Sequence, residues 1–465
     1  MKTTKVFFMA ALALMTAACS NEDNEITQQP QMVRGIPFTA TLSMGNSAAT
    51  RALVEEDPTN DYPYGIIEAT WETGDEVALI YKGGSEGTTP CKTVASVTAQ
   101  NDGTATVSTK LDAGAVNGSE VTIIYPASAA DGTTGNVNNT ILTAQDGTLT
   151  GNETSIDKTC DVRKGTGKLS ISGEGDNKKA TVYDNNRANN LVKLDNLYSI
   201  FKFTLKDIRN ESNLSVNTLT VSGSTDGDVK ATVNLSSATY EFYVALPVLT
   251  AGKYWFTAAI TNGNVSKPYI AKATATATTA GNFYPVTVKM ATIGDVILSN
   301  GTFAKPNTTS GTPVAMIAYL GSSTGHDTYK HGLAMALTDE DSGNGMTWNT
   351  AVTTCNNKST PAVSDASSWM LPSEAQWTNM DYQVRKFDNT SGLWNDFTGI
   401  TGATNMQYKD TDNSHILYWS STEVKVGESF TSARAFDVYT PQWFDDPKAH
   451  EVTPYKRVCR ACLAF

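Results

Sequence analysis

Between about residue 35 and residue 290 the chain alternates polar and apolar residues with a period of two, and nothing else in it constrains the fold as much. The clearest segments are 38–44, 76–81, 104–110, 121–125, 201–206, 218–222 and 242–246, with Asn/Asp/Gly/Ser clusters between them, as at 101–103, 131–139 and 223–228. Successive side chains of a strand point to opposite faces, so these segments predict strands with one dry and one wet face. The expected architecture is antiparallel β-sandwiches. Helical periodicity of useful length is absent from this part of the sequence, and a helical bundle or coiled coil is excluded. A long, mostly polar stretch, 173–190, precedes a return of apolar residues, which puts a boundary near residue 190.

The chain has 465 residues, enough for two to four domains at roughly 100–200 residues each. Its net charge is -12, a sign that repels phosphate backbones, so nucleic acid is not an expected partner.

Lys2 and Lys5 precede residues 6–18, a run that is apolar except for Thr16. The run is too short to cross a bilayer, which takes about 20 residues, but it suits the core of a signal peptide. It ends in Thr16-Ala17-Ala18-Cys19, which resembles the lipobox of bacterial lipoproteins. The resemblance implies removal of residues 1–18 and lipidation of Cys19; an ordinary secretory peptide is the alternative. The tract Ser20-Asn21-Glu22-Asp23-Asn24-Glu25 resembles the signal that places some Gram-negative lipoproteins on the outside of the outer membrane. With either leader, residues 19–34 form an acidic, solvated tether. Loss of Lys2 and Lys5 leaves 33 basic residues against 47 acidic ones, a net charge of -14. No later run is long and apolar enough to span a membrane as a helix.

Several strings carry a second resemblance. They are Ile36-Pro37-Phe38-Thr39-Ala40, Thr50-Arg51-Ala52, Trp71-Glu72-Thr73-Gly74-Asp75-Glu76-Val77, Tyr125-Pro126, Tyr243-Val244-Ala245-Leu246-Pro247 and Ala280-Gly281-Asn282-Phe283-Tyr284-Pro285-Val286-Thr287-Val288. In this order they resemble the fimbrillin family, the two-domain pilins of Gram-negative anaerobes. The likeness implies two consecutive antiparallel β-sandwich pilin domains, 35–190 and 191–291. It also implies partners: other fimbrial subunits, joined by strand exchange after a protease removes the first strand by cutting behind an Arg. Arg51 holds the matching position and Arg34 is its rival. Within the sandwiches, Trp71 and Tyr125 are expected in the core, Gly74-Asp75 in a turn, and Gly281 at a close approach of backbones.

From Gly294 the texture changes. Asn300-Gly301 is a turn pair between strand-like runs. Trp348, Ala351, Val352 and Cys355 fall on one helical face, and Pro372-Ser373-Glu374 reads as a helix start with Pro in the first turn. The strings Trp369-Met370-Leu371-Pro372, Tyr418-Trp419-Ser420-Ser421-Thr422-Glu423 and Arg457-Val458-Cys459-Arg460-Ala461-Cys462 resemble the formylglycine-generating-enzyme-like fold, related to C-type lectin domains. Residues 292–465 are therefore expected to form an α+β head, in which such strings are mostly scaffold.

Cys459-x-x-Cys462 also has the spacing of a redox or metal motif. In the resembled fold the terminal strand is buried, so a structural disulfide between Cys459 and Cys355 is expected instead, with Cys91–Cys160 as a second possible pair. Trp394-Asn395-Asp396 resembles a lectin calcium motif but lies far from the last Cys and lacks its companion, so it is read as coincidence. The four His show no metal spacing, and no nucleophile or phosphate motif is present, so neither cofactor nor catalytic residue is expected. Tyr439, Trp443, Asp445 and Asp446 are the best ligand residues: rings stack on sugar C–H groups and carboxylates accept from hydroxyls. Together these features point to an outer-membrane fimbrial subunit, a tip adhesin that accepts a strand but does not donate one, and attaches to glycan or protein on host or bacterial surfaces. A non-polymerising surface lipoprotein and, further off, an oxidase are the other readings.

Overall fold

A computed structural model describes residues 35–44, 71–151, 154–184, 191–224, 228–340, 345–409, 415–449 and 456–465, with the backbone of two short strands at 54–55 and 67–68. Cys19, Arg34, Arg51, the leader and the tether lie outside the described residues. The protein is mainly β.

The first unit is a sheet that closes on itself. Its strands are β1 (Ile36–Ser43), β2 (Glu76–Gly83), β3 (Thr89–Ala99), β4 (Thr104–Leu111), β5 (Glu120–Tyr125), β6 (Arg163–Ser172), β7 (Lys179–Asp184), β8 (Leu191–Lys193) and β9 (Asp195–Asn196). The hydrogen-bonded path runs β1-β4-β3-β2-β5-β6-β7 and returns to β1. This corrects the expectation of a purely antiparallel two-sheet sandwich, because β1 pairs in parallel with both β7 and β8. Closure leaves no free edge in the ring. The sheet also takes in β8 and β9, so the first unit's pairing continues to Asn196, past residue 190. Trp71 and Tyr125 are core residues, in edge-to-face contact at 5.2 Å.

The second unit is a true sandwich. Its sheets are β13-β10-β16 and β12-β11-β14-β15, where β10 is Tyr198–Asp207, β11 Val216–Ser222, β12 Val229–Thr239, β13 Glu241–Pro247, β14 Gly252–Asn262, β15 Val265–Ala275 and β16 Phe283–Met290. The first and last strands, β10 and β16, lie side by side in parallel, so this sandwich too departs from the purely antiparallel expectation. Gly281 opens the turn into β16 with φ +80°, where a Cβ would stand 2.7 Å from the Asn196 side chain. A segment of the first unit reaches into this sandwich: Gln145 Nε2 donates to Ala245 O at 2.9 Å and its Oε1 accepts from Ala245 N at 2.7 Å. One continuous buried cluster therefore serves both units.

The third unit is α+β. One sheet holds β17 (Val296–Leu298), β18 (Phe303–Ala304), β19 (Pro313–Leu320), β20 (Gly332–Ala336) and β25 (Cys462–Ala464). The other holds β21 (Ile416–Val426), β22 (Ser429–Asp437), β23 (Gln442–Pro447) and β24 (Lys456–Val458). The helices are α1 (Trp348–Asn356), which buries Ala351 and Cys355, and α2 (Glu374–Phe387). Ser373 caps α2 and Gln376 reciprocates, a capping box, so Pro372 precedes the cap instead of entering the first turn. Trp377, Tyr418 and Trp419 are fully buried, and the two indoles donate to backbone carbonyls, Trp377 to Trp419 O and Trp419 to Met346 O.

The structure joins none of the expected cysteine pairs. No disulfide links Cys91, Cys160, Cys355, Cys459 or Cys462. The Cys459 thiol turns toward Met346 Sδ at 3.5 Å, Cys160 toward Ile141 O, and Cys91 toward Thr89 O. Cys459 also lies before β25 and not on it with Cys462. Burial pushes the Cys160 thiol up to about 11 and raises that of Cys462, which keeps both protonated.

The third unit covers the outer face of the second. Tyr254 and Phe256 of β14 face the sandwich core, and Trp255 between them, 5% exposed, is buried in the core of the third unit. Its indole stacks on His331 at 4.2 Å, under Lys272 at 5.1 Å. Beside it, Arg209 from the end of β10 donates to Asp295 at 2.7 Å, Asp388 at 3.0 Å and Ile293 O at 2.7 Å. Gly294 has φ +84° there, and a Cβ on it would collide with the Asp388 carboxylate.

Burial pushes the Asp295 carboxyl up to about 6 against the pull of Arg209. Burial, then the neighbouring Asp388, push Asp396 up to about 8. Both hold protons in the folded chain that the unfolded chain has released, so their contribution to stability is full below about pH 4 and is lost as pH rises toward 8. Asp396→Asn keeps a donor toward Asp388 without the titration. It is expected to flatten the decline between pH 6 and 8 and to stabilise at pH 8 by on the order of 1–2 kcal/mol. Urea midpoints across that range check this; an unchanged slope would refute it.

Candidate functional site

Two places in the fold bear on function. The first is the seat of β1. Every second side chain from this strand through the residue after it enters the core: Ile36, Phe38, Ala40, Leu42 and then Met44, none more than 3% exposed. Eight residue pairs join β1 to β4, from Ile36 with Leu111 to Ser43 with Thr104. On its other side β1 meets β7 at Phe38–Ala180 and β8 at residues 41–43. Without β1 the ring has two open edges and five unfilled side-chain positions between them. Arg34 precedes the strand by two residues and Arg51 follows it by eight, so a cut behind Arg34 leaves β1 attached to the body and a cut behind Arg51 separates it.

The second place is a cleft in the third unit between α2 and the β22–β23 hairpin, with a volume of about 380 Å³. Tyr382, Arg385 and Lys386 form its helical wall; Phe436, Pro441 and Trp443 form the other. The hairpin fixes Trp443 against Phe436, its cross-strand partner, with ring centres 4.8 Å apart. Arg385 ties the walls together: its Nε donates to Asp381 at 2.6 Å, and its other nitrogens donate to Ser391 O and Val438 O. Burial raises the Asp381 carboxyl, while Arg385 pulls it down.

The four expected ligand residues separate here. Trp443 lines the cleft. Tyr439 is 42% exposed on the neighbouring turn and stacks on Tyr408 at 5.0 Å, with Trp394 behind. Asp445 pairs with Arg434 at 2.7 Å. Asp446 is buried in an ion pair with Arg457. Asp437 supports the turn: burial works to raise its carboxyl, but hydrogen bonds from Thr440, His415 and Tyr439 outweigh this and hold it below the usual range. Tyr382 and Lys386 carry no sequence signal, since on a helix they read as solvent face. Among the described residues no cluster of His, Cys, Asp or Glu is arranged to hold a metal ion, and no helix is long and apolar enough to cross a membrane.

No family model and no curated protein matches the sequence. Solved structures similar to it include a protein of Bacteroides fragilis described as a candidate cell adhesion protein, at 15% identity and TM-score 0.28, covering 58% of this chain and 95% of that one. The minor pilin of Streptococcus agalactiae is similar at 9% identity and TM-score 0.22, covering 56% and 96%. The shaft pilin of Lactobacillus rhamnosus is similar at 12% identity and TM-score 0.22, covering 56% and 98%. Identities this low and superpositions this loose leave the functional reading to the chain's own geometry.

Proposed function

We propose that the chain is a fimbrial subunit that sits at the pilus tip, accepts a neighbour's strand in place of β1, and presents its third unit as an adhesive head. The observation that carries this is the asymmetry between the ends of the two-unit body. The first strand is bounded by Arg34 and Arg51 and fills a full-length seat. The last strand, β16, runs directly into the third unit. Ala291 exchanges hydrogen bonds with Ile270 at 2.7 and 2.8 Å, and Arg209 holds Ile293 and Asp295 just beyond. Such a strand cannot be handed to a neighbour without dismantling the junction. A subunit that accepts and does not donate ends a filament.

Cys19 is the proposed site of lipidation and outer-membrane anchoring before assembly. Arg51 is the proposed processing site, because only a cut behind it separates β1. In electron micrographs of pili carrying a label on residues 292–465, the label is expected at filament ends; label along the shaft would overturn the tip assignment. A second reading, a non-polymerising surface lipoprotein, is favoured by the closure of the first unit with the chain's own β1. Arg51→Ala separates the two, since only the pilus reading predicts lost assembly.

A further inference from the structure

We propose that the cleft between α2 and the β22–β23 hairpin binds a sugar ring that carries a carboxylate. At about 380 Å³ it falls in the range of small-ligand sites, at the size of one or two hexose rings. Aromatic rings line both walls, Tyr382 on the helix and Trp443 on the hairpin. Tyr382 is 58% exposed, more than any other tyrosine or tryptophan among the described residues. A sugar offers what such walls accept: flat C–H faces for the rings and hydroxyls for the Tyr382 phenol and the Thr378 hydroxyl at the rim.

The charges select the ligand further. Arg385 and Asp381 satisfy each other, and the remaining Arg385 nitrogens are held by backbone carbonyls. Lys386 is different. Its Nζ donates to the Tyr382 hydroxyl at 3.0 Å and lies 5.1 Å from the centre of that ring, with no carboxylate partner among the described residues. On a chain of net charge -12 this leaves a cation against an aromatic wall, fit for one carboxylate of an otherwise neutral ring. The walls are preformed by the α2 capping box, the Phe436–Trp443 contact and the Arg385–Val438 tie, so little ordering cost falls on binding. The inference stands without the pilus reading, because binding to the isolated full-length chain is measured with no filament present.

The test is calorimetric titration of the full chain with oligosaccharides ending in sialic or glucuronic acid, beside neutral counterparts of equal length. Acidic ligands are expected to bind more tightly than neutral ones. Tyr382→Ala, on an exposed helical position that leaves the fold intact, is expected to weaken both by about threefold to tenfold, and Trp443→Ala to do the same. Lys386→Gln is expected to erase the preference for acidic ligands and spare neutral affinity. Absence of saturable binding across the acidic panel, equal affinity for acidic and neutral ligands, or full affinity in Tyr382→Ala would each overturn the proposal.

Discussion

Arg209→Met is expected to loosen the third unit from the body by about 2–4 kcal/mol, somewhat below the usual cost of breaking a fully buried ion pair because the guanidinium is a third exposed. Asp295, whose side chain is fully buried, loses the cation that lets it ionise. Two further hydrogen bonds go with it, to Asp388 and to Ile293 O. The loss falls on the junction and not on either core, so urea is expected to unfold the variant in two steps where the parent shows one, with faster proteolysis around residues 291–295. Asp295→Asn on the same background removes the orphaned charge and is expected to recover part of the loss. A single transition at the parent's midpoint would show that the Trp255 packing alone holds the units together.

That junction also marks where the sequence stops being legible. The seven strands read from alternation are present; β1 and β4 are legible because one face is wetter than the other, although β2 and β5 are buried on both faces. Trp255 was unreadable for the opposite reason: its face would be wet in an isolated sandwich and is dry only because another unit lies on it. β6 was missed because its inward residues run Arg163, Gly165, Gly167, Leu169, which gives little apolar signal. A Cβ at Gly165 or Gly167 would press on the backbone oxygen of Lys193 or Tyr183, at 2.5 and 2.4 Å, so close strand contact demands glycine where a pattern search demands a hydrophobe. Arg209 reaches partners 86 and 179 residues away, beyond any local pattern. The hairpin that carries Trp443 is marked in the sequence by its aromatics, whereas the pairing of Asp445 with Arg434 and of Asp446 with Arg457 is decided by tertiary structure.

The largest effect is expected at β1. Phe38 is 1% exposed in the first half of the strand, and Phe38→Ala should cost the first unit about 3–5 kcal/mol in urea unfolding. The same residue decides strand exchange. A chain cut behind Arg51 retains β1 only through its ladder and its buried side chains. A free peptide with the sequence of residues 35–44 competes for the same β4 edge and the same core positions, and is expected to displace the native strand over hours. A Phe38→Ala peptide should compete about a hundredfold less well or worse, as the lost packing energy dictates. A peptide with the pattern slipped by one residue should fail altogether, because the slip turns every large side chain out of the core. Mass spectrometry of the exchanged complex reads all three outcomes. Equal exchange of the matched and slipped peptides would mean that the seat does not read register, and strand acceptance at this site would have to be given up.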